Sequence, residues 1–143
     1  PVPCPLGYTA PRGTVVTTLG ADTKGGSMDI EYLQAKLREF ARDRDWEQYH
    51  TPKNISMALS VEAAELLEIF QWMTPDESIA VRNSQSQKQP VEDELGDILN
   101  YVLRLADVLD IDLEQAVSNK MEKNALKFPA AGPMTPRSKK EQS

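Results

Sequence analysis

Cysteine and histidine are almost absent from the chain, since Cys4 and His50 are the only ones among its 143 residues. One cysteine excludes an intrachain disulfide and a cysteine-based zinc site, and it is consistent with a reducing compartment. One histidine removes most histidine-centred chemistry. Long apolar runs are also missing: no stretch approaches the roughly 18 apolar residues of a membrane span, and the N-terminus lacks the order of a signal peptide. We therefore expect a cytoplasmic protein without a membrane partner.

The chain is acidic, with a formal net charge of −6 at pH 7. Both ends carry a small positive balance, so the middle of the chain is more acidic than the total suggests. Proteins that bind nucleic acid usually present a basic face, and the composition therefore argues against a nucleic-acid partner. An anionic substrate bound in the acidic middle would need metal ions or a local cluster of lysine and arginine.

Three segments follow one another along the chain. Residues 1–27 are rich in Pro, Gly and Thr and show no helical period, so we interpret them as a leader, either vector-derived or extended, before Met28. Residues 28–129 form the expected helical domain. Residues 130–143 are expected to be a flexible tail.

Helical periodicity dominates the middle segment, and no part of it alternates at period two. The expected fold is all-α, with four principal helices and a short one packed as a bundle. Thr-Pro pairs supply the N-cap and first position of the second and third helices, and Asp112 caps the last, which Pro129 stops. We expect residues 83–89 to be a flexible loop and Pro90 to begin the fourth helix. The expected long helices cover about 29–44, 52–73, 90–110 and 113–128.

Glutamates interrupt the apolar face of the second helix. On a wheel of about 100° per residue, Ile55, Leu59, Leu66, Ile69 and Met73 lie within roughly 60° of Glu62. Glu65 lies about 60° to the side, and Glu68 lies about 120° away. Glu62 therefore projects from the apolar stripe itself, where an unpaired carboxylate is costly.

The fourth helix repeats this arrangement around Glu94. Asp97 lies about 60° to the side of Glu94, with Arg104 just beyond it. The apolar residues within roughly 60° of Glu94 are Val91, Ile98, Tyr101, Leu105 and Leu109. Two helices thus carry the same pair of acidic residues, three positions apart and centred on an apolar face.

Four carboxylates that converge in a helical core cannot all stay ionised without cations, because like charges raise each other's pKa. Hard divalent ions suit oxygen ligands, and Mg²⁺ commonly completes its shell with water and phosphate oxygens. A di-iron centre would use Glu-x-x-His, which neither pair offers, and residues 110–116 lack the glycine of an EF-hand loop. The ordinary alternative is that these acids sit at helix boundaries or pair with basic residues. The matched pairs favour phosphate chemistry with Mg²⁺.

The two pairs, Glu62-Ala-Ala-Glu65 and Glu94-Leu-Gly-Asp97, resemble those of the MazG-like all-α nucleoside triphosphate pyrophosphohydrolases. Three further blocks are similar to the branch that contains the dCTP pyrophosphatases: RDWEQYHTPKN at 44–54, EIFQW at 68–72 and KMEKNALKFP at 120–129. The resemblance covers roughly residues 30–129, which is essentially the whole expected fold.

This resemblance implies hydrolysis of a (deoxy)nucleoside triphosphate to the monophosphate and pyrophosphate. It implies that Glu62, Glu65, Glu94 and Asp97 hold Mg²⁺ and form the catalytic centre, where the ions bridge the phosphates and activate water. It also implies a homodimer or a homotetramer built as a dimer of dimers, in which helices of neighbouring subunits complete the site.

Substrate contacts are implied on other helices as well. By the resemblance, Lys120, Asn124 and Lys127 reach the phosphates, although the same spacing is typical of a solvated helix face. Aromatic faces stack on bases, and Trp46, Trp72 and Tyr101 are the candidates. Aromatic residues are more often core or interface residues, which is the alternative for these three.

Two positions depart from the family pattern. Val61 stands where many relatives have a second glutamate before Glu62. Leu37 falls where the mammalian dCTP pyrophosphatases have a histidine in the base pocket. The expected substrate is accordingly dCTP or a wider set of dNTPs, in a nucleotide-pool housecleaning role.

Two alternatives remain open at this point. One is a non-catalytic helical oligomer that acts as a regulator or adaptor, which would have no reason to bury matched acidic pairs. The other is a related all-α hydrolase that acts on dUTP or a phosphoribosyl nucleotide. Motif spacing alone does not separate such an enzyme from a dNTP pyrophosphohydrolase.

Overall fold

The computed structural model describes residues 28–130, and every regular element within that range is helical. This confirms the expected all-α fold with four principal helices and a short one. Two short 3₁₀ turns, Glu47–Tyr49 and Val81–Asn83, join the α-helices. The α-helices are α1 Ile30–Arg42, α2 Pro52–Phe70, α3 Pro75–Ala80, α4 Gln85–Val108 and α5 Leu113–Lys127. The leader and the tail beyond residue 130 lie outside the described residues.

The core of the part up to Asp110 lies where α2 packs along α4 and α1 packs on α4. Ile55 of α2 and Leu103 of α4 are the largest fully buried side chains among the described residues. The core also contains Ala41, Ala58, Val81 and Ala106. Small residues at three of these positions allow the helices to approach closely, so the pair α2 and α4 forms a stable frame for side chains on their shared face.

Helix caps form where the Thr-Pro pairs predict them. The Thr51 side chain accepts a hydrogen bond from the Asn54 backbone N–H at the start of α2. At the start of α3, Thr74 and Glu77 form a reciprocal capping box. These bonds satisfy backbone donors that a helix terminus leaves unpaired, so the start of each helix is set locally by the sequence.

The fourth helix begins earlier than its sequence predicts. Helix α4 starts at Gln85, so most of the expected 83–89 loop is helical, and Pro90 lies inside the helix. Proline removes one backbone hydrogen bond, but side-chain pairs span this position. Lys88 Nζ lies 2.8 Å from Glu92 Oε1, and Gln89 Nε2 donates to Asp93 Oδ1 at 2.9 Å. Such i,i+4 pairs add a few tenths of a kcal/mol each to the helix, and the expectation of a loop over residues 83–89 was wrong.

Within the described residues, the part from Ile111 to Ala130 belongs to a separate compact unit. The Asp112 side chain accepts from the Gln115 backbone N–H and caps α5, as the sequence predicts. Within α5, Gln115 Nε2 donates to Asn119 Oδ1 at 2.9 Å. No helix between residues 28 and 130 has the length and apolar character needed to cross a membrane.

Replacing Leu103 tests the packing between α2 and α4. We expect Leu103→Ala to lower the free energy of unfolding by about 2–5 kcal/mol, because it leaves a cavity in the buried core. Leu103→Met conserves volume and should cost less than about 1.5 kcal/mol. Urea unfolding at one fixed protein concentration measures both, and equal losses for the two variants would contradict a tightly packed core at this position.

Candidate functional site

The acidic pair on α2 straddles the boundary between core and solvent. Glu62 is partly buried on the side of α2 that carries the buried residues Ile55 and Ala58, whereas Glu65 is exposed. On α4, Glu94 is partly buried two turns or more before the buried Leu103. Because α2 and α4 pack along each other, these side chains meet along the contact between the two helices.

Three carboxylates converge there. Glu62, Glu65 and Glu94 each offer one oxygen, and these oxygens all lie within 4.8 Å of one another. Asp97 is exposed and is not part of this close group, although its charge acts on both Glu62 and Glu94. The structure therefore brings three of the four predicted ligands together and leaves Asp97 beside them.

Burial and like charge raise the pKa of two of these groups. Burial is the main cause for the raised pKa of Glu62, and the charges of Asp97, Glu65 and Glu94 raise it further. Burial is also the main cause for the raised pKa of Glu94, to which Glu65, Asp97 and Asp93 contribute by repulsion. Ionisation of Glu62 and of Glu94 beside the other carboxylates is therefore unfavourable, and a cation between them would offset this cost.

The chemistry of these donors fits a hard divalent cation. Glu94 Oε2 is buried and has no hydrogen-bond partner among the described residues. A buried polar atom without a partner is uncommon in folded proteins and points to a missing ligand. Carboxylate oxygens from two helices are the type of donor that Mg²⁺ and similar ions prefer, so Glu62, Glu65 and Glu94 fit such an ion.

Glu68 separates from the cluster, as its position on the wheel indicates. Its side chain is exposed, one turn beyond Glu65, on the open side of α2. A shallow depression on that side is lined by Ser60, Val61, Ala64, Glu65, Leu67, Glu68 and Gln71. Six of them belong to α2 and Gln71 is its C-cap, so this surface is the outer face of one helix.

The three candidate aromatic residues have different surroundings. Trp46 is partly buried and packs edge-on against Phe40, with ring centroids 5.8 Å apart. Tyr101 is partly buried on α4, one turn beyond Asp97. Trp72 is 89% exposed just after the end of α2, so it is not a core residue of this chain and its ring face is accessible.

The candidate phosphate-binding residues lie on α5, in the second unit. Lys120, Asn124 and Lys127 are exposed and recur at i, i+4 and i+7, so they share one side of the helix. The Lys127 ammonium lies 5.2 Å from the centroid of the Phe128 ring. Their role in phosphate binding stays a prediction.

A charged network that the sequence pattern did not reveal joins α1, α4 and the connection before α2. One carboxylate oxygen of Asp107 accepts a hydrogen bond from Arg38. The other oxygen accepts from Arg104 Nη1 at 2.6 Å. Arg104 Nε also donates to His50 Nδ1 at 3.1 Å. The pair Arg104 and Asp107 at i,i+3 was the visible signal, but the partners Arg38 and His50 are 69 and 54 residues away.

Known proteins are similar to this chain in sequence. The model of the MazG-like family matches residues 57–135. Bovine dCTP pyrophosphatase 1 is 37% identical over 118 residues, covering 82% of this chain and 70% of that protein. Human dCTP pyrophosphatase 1 is 42% identical over 102 residues, covering 71% of this chain and 58% of that protein.

A solved structure is similar as well. The crystal structure of a pyrophosphatase from Archaeoglobus fulgidus superimposes with a TM-score of 0.66 at 46% identity, covering 74% of this chain and 97% of that one. The family model covers more than half of the chain, and it includes both acidic pairs. With paired acids converging between two packed helices, the chain belongs to the MazG-like family.

Proposed function

We propose that this protein is a Mg²⁺-dependent nucleoside triphosphate pyrophosphohydrolase, which converts a (deoxy)nucleoside triphosphate to the monophosphate and pyrophosphate. The observation that carries the proposal is the cluster of Glu62, Glu65 and Glu94, with a buried and unpartnered oxygen on Glu94. The relatives named as dCTP pyrophosphatases and the similar pyrophosphatase structure support the same reaction class.

Glu62, Glu65 and Glu94 would hold the metal, with Asp97 as the fourth ligand or as an anchor for metal-bound water. Mg²⁺ in such a site supplies charge neutralisation for the triphosphate and lowers the pKa of bound water. Core packing between α2 and α4 would hold the three carboxylates in place. Preorganised charge of this kind stabilises the transition state without reorganising at the moment of reaction.

The base would lie among the candidate aromatic residues, and the phosphates among the polar residues of α5. Trp46, Trp72 and Tyr101 offer ring faces for stacking, which is tolerant of base identity. Leu37 is partly buried on α1 and offers no hydrogen bond to a base edge. We therefore propose dCTP or a wider set of dNTPs as substrate, hydrolysed in the cytoplasm to control the nucleotide pool.

The working unit would be a homodimer or a homotetramer. Met57, Val61 and Leu67 on the outer face of α2 are 57%, 40% and 63% exposed, although they are large apolar side chains. Contiguous exposed apolar side chains on one face are typical of a protein interface. A second copy on this face would cover the depression beside Glu65 and enclose the site.

Assay of pyrophosphate release tests the activity directly. The full chain should release pyrophosphate from at least one dNTP in the presence of Mg²⁺ and from none in EDTA. Glu65→Gln should lower kcat by about 100-fold or more, the size expected when ~3 kcal/mol of transition-state stabilisation is lost. Glu92→Gln, an exposed glutamate paired with Lys88, is the control. Unchanged turnover in Glu65→Gln would contradict the proposed metal site.

Trp72 offers a test of the base site. Because stacking of one base on an aromatic ring contributes about 1–3 kcal/mol, Trp72→Ala should raise KM by about 5-fold to 100-fold. Gln87→Ala changes an exposed residue of α4 and should leave KM unaltered. Steady-state kinetics with dCTP give both values, and equal KM values for the two variants would remove Trp72 from the base site.

Sedimentation velocity tests the oligomer. The wild-type chain should sediment as a dimer or tetramer, and Leu67→Glu should shift it to smaller species because it places a charge in the apolar interface. Gln87→Glu introduces the same charge on α4 and should sediment like the wild type. A monomeric wild type, or an oligomer that Leu67→Glu leaves intact, would contradict the proposed interface.

A further inference from the structure

The connection between α1 and α2 is a single hydrogen-bonded turn. At its beginning, the Trp46 backbone N–H donates to the Ala41 carbonyl at 2.9 Å. The Tyr49 N–H then donates to the Trp46 carbonyl at 2.9 Å, and the His50 N–H donates to the Glu47 carbonyl at 3.1 Å. Because these bonds link residues 46–50 to one another, a constraint on His50 is transmitted to Trp46.

His50 is held by α4. Arg104 Nε donates to His50 Nδ1 at 3.1 Å, and a guanidinium carries only donors. The Nδ1 atom must therefore accept, so the ring is neutral and its proton is on Nε2. This single bond ties the turn to the middle of α4.

Arg104 is itself fixed in orientation. Its side chain is 11% exposed, and its Nη1 atom donates to Asp107 Oδ2 at 2.6 Å. The other oxygen of Asp107 accepts from Arg38 of α1. A nearly buried guanidinium that donates to the Asp107 carboxylate on one side and to the His50 ring on the other has little rotational freedom, so α1, α4 and the turn are held as one unit.

The position of Arg104 connects this network to the substrate. Tyr101 lies one turn before Arg104 on α4, and Trp46 begins the turn that His50 ends. Both aromatic residues are proposed above to contact the base. We propose that Arg104 is a positioning residue for the base end of the site, which holds Trp46 in place through its hydrogen bond to neutral His50; the functional part of this inference rests on the proposed function.

The hydrogen bond from Arg104 to His50, called the tether below, depends on the protonation state of His50. Arg104 faces the ring from α4, Glu47 faces it from its own turn, and Asp107 with Arg38 of α1 lies behind Arg104. Burial, reinforced by Arg104, lowers the pKa of His50 below its ordinary 6.5, against a smaller opposing effect of Glu47. The stabilisation is therefore complete above pH 6.5 and is lost as the pH falls through the pKa of the folded state, where two N–H groups would face each other.

Kinetics separate positioning from a general structural role. At pH 7.5, Arg104→Gln should raise KM for dCTP by about 5-fold to 20-fold with kcat changed less than about twofold, from the loss of one charge-assisted hydrogen bond. His50→Ala should raise KM in the same way. His50→Gln should keep the wild-type KM, because its amide oxygen accepts from Arg104 and does not titrate. Arg82→Gln, which changes an exposed arginine of the second 3₁₀ turn, is the control.

The pH profile adds a second readout. Between pH 7.5 and 5.5 the KM of the wild type should rise more steeply than the KM of His50→Gln, since only the wild type loses the tether. Other ionisations, including those of the triphosphate, affect both proteins equally and cancel in the ratio. Identical profiles for the two proteins, or a fall in kcat without a change in KM for Arg104→Gln and His50→Ala, would overturn the positioning role.

Fluorescence of Trp46 tests the tether without any catalysis. The chain has two tryptophans, so Trp72→Phe leaves Trp46 as the only tryptophan, which can be excited selectively over the tyrosines. The emission spectrum of Trp46 should change between pH 7.5 and 5.5. In the double variant that also carries His50→Gln, this change should be absent. If this occurs while no nucleotide is hydrolysed, the tether stands and the proposed function is overturned. If nucleotides are hydrolysed but Trp46 emission is indifferent to His50→Gln, the positioning proposal is overturned.

Discussion

Electrostatic repulsion at the junction of α2 and α4 is the constraint on which the rest of the site depends. Glu62 and Glu94 lie partly buried on helices that a core of Ile55 and Leu103 keeps together, so the carboxylates cannot separate to relieve their repulsion. Burial and neighbouring charge both raise the pKa of these two groups. A divalent cation bound between these carboxylates would relieve their repulsion, and carboxylates held in fixed positions are what the proposed metal site requires.

The two ends of the proposed site are built differently. The metal end uses short acidic side chains projecting from two packed helices, and its geometry follows from the packing of α2 on α4. The base end uses aromatic residues on a connection and at a helix end, where packing alone does not fix a side chain. For Trp46, the proposed constraint is the network of Arg38, Asp107 and Arg104, which acts through hydrogen bonds. A hydrogen-bonded tether can respond to pH through His50, whereas a helix core does not.

Much of the fold and the centre of the site follow from local sequence rules. Apolar spacing and the caps at Thr51, Thr74 and Asp112 set the helices, and the wheel positions of Glu62 and Glu94 already indicate their convergence. Local rules failed at Pro90, which lies inside α4 although proline disfavours a helix interior. They could not reveal the partner of Asp107, since a contact with Arg38 across 69 residues depends on how helices cross. Nor could they show that Trp72 is 89% exposed, because burial depends on tertiary packing.

Metal-dependent stabilisation tests the central claim most directly. Thermal unfolding of the full chain should be followed as Mg²⁺ is titrated, in the wild type, in Glu94→Gln and in the exposed control Glu92→Gln. A ligand that binds only the folded state at about 100 times its Kd adds ~2.7 kcal/mol, which corresponds to a Tm rise of several degrees. The account predicts this rise in the wild type and the control and none in Glu94→Gln. An equal rise in Glu94→Gln, or no rise in the wild type, would contradict a metal site between α2 and α4.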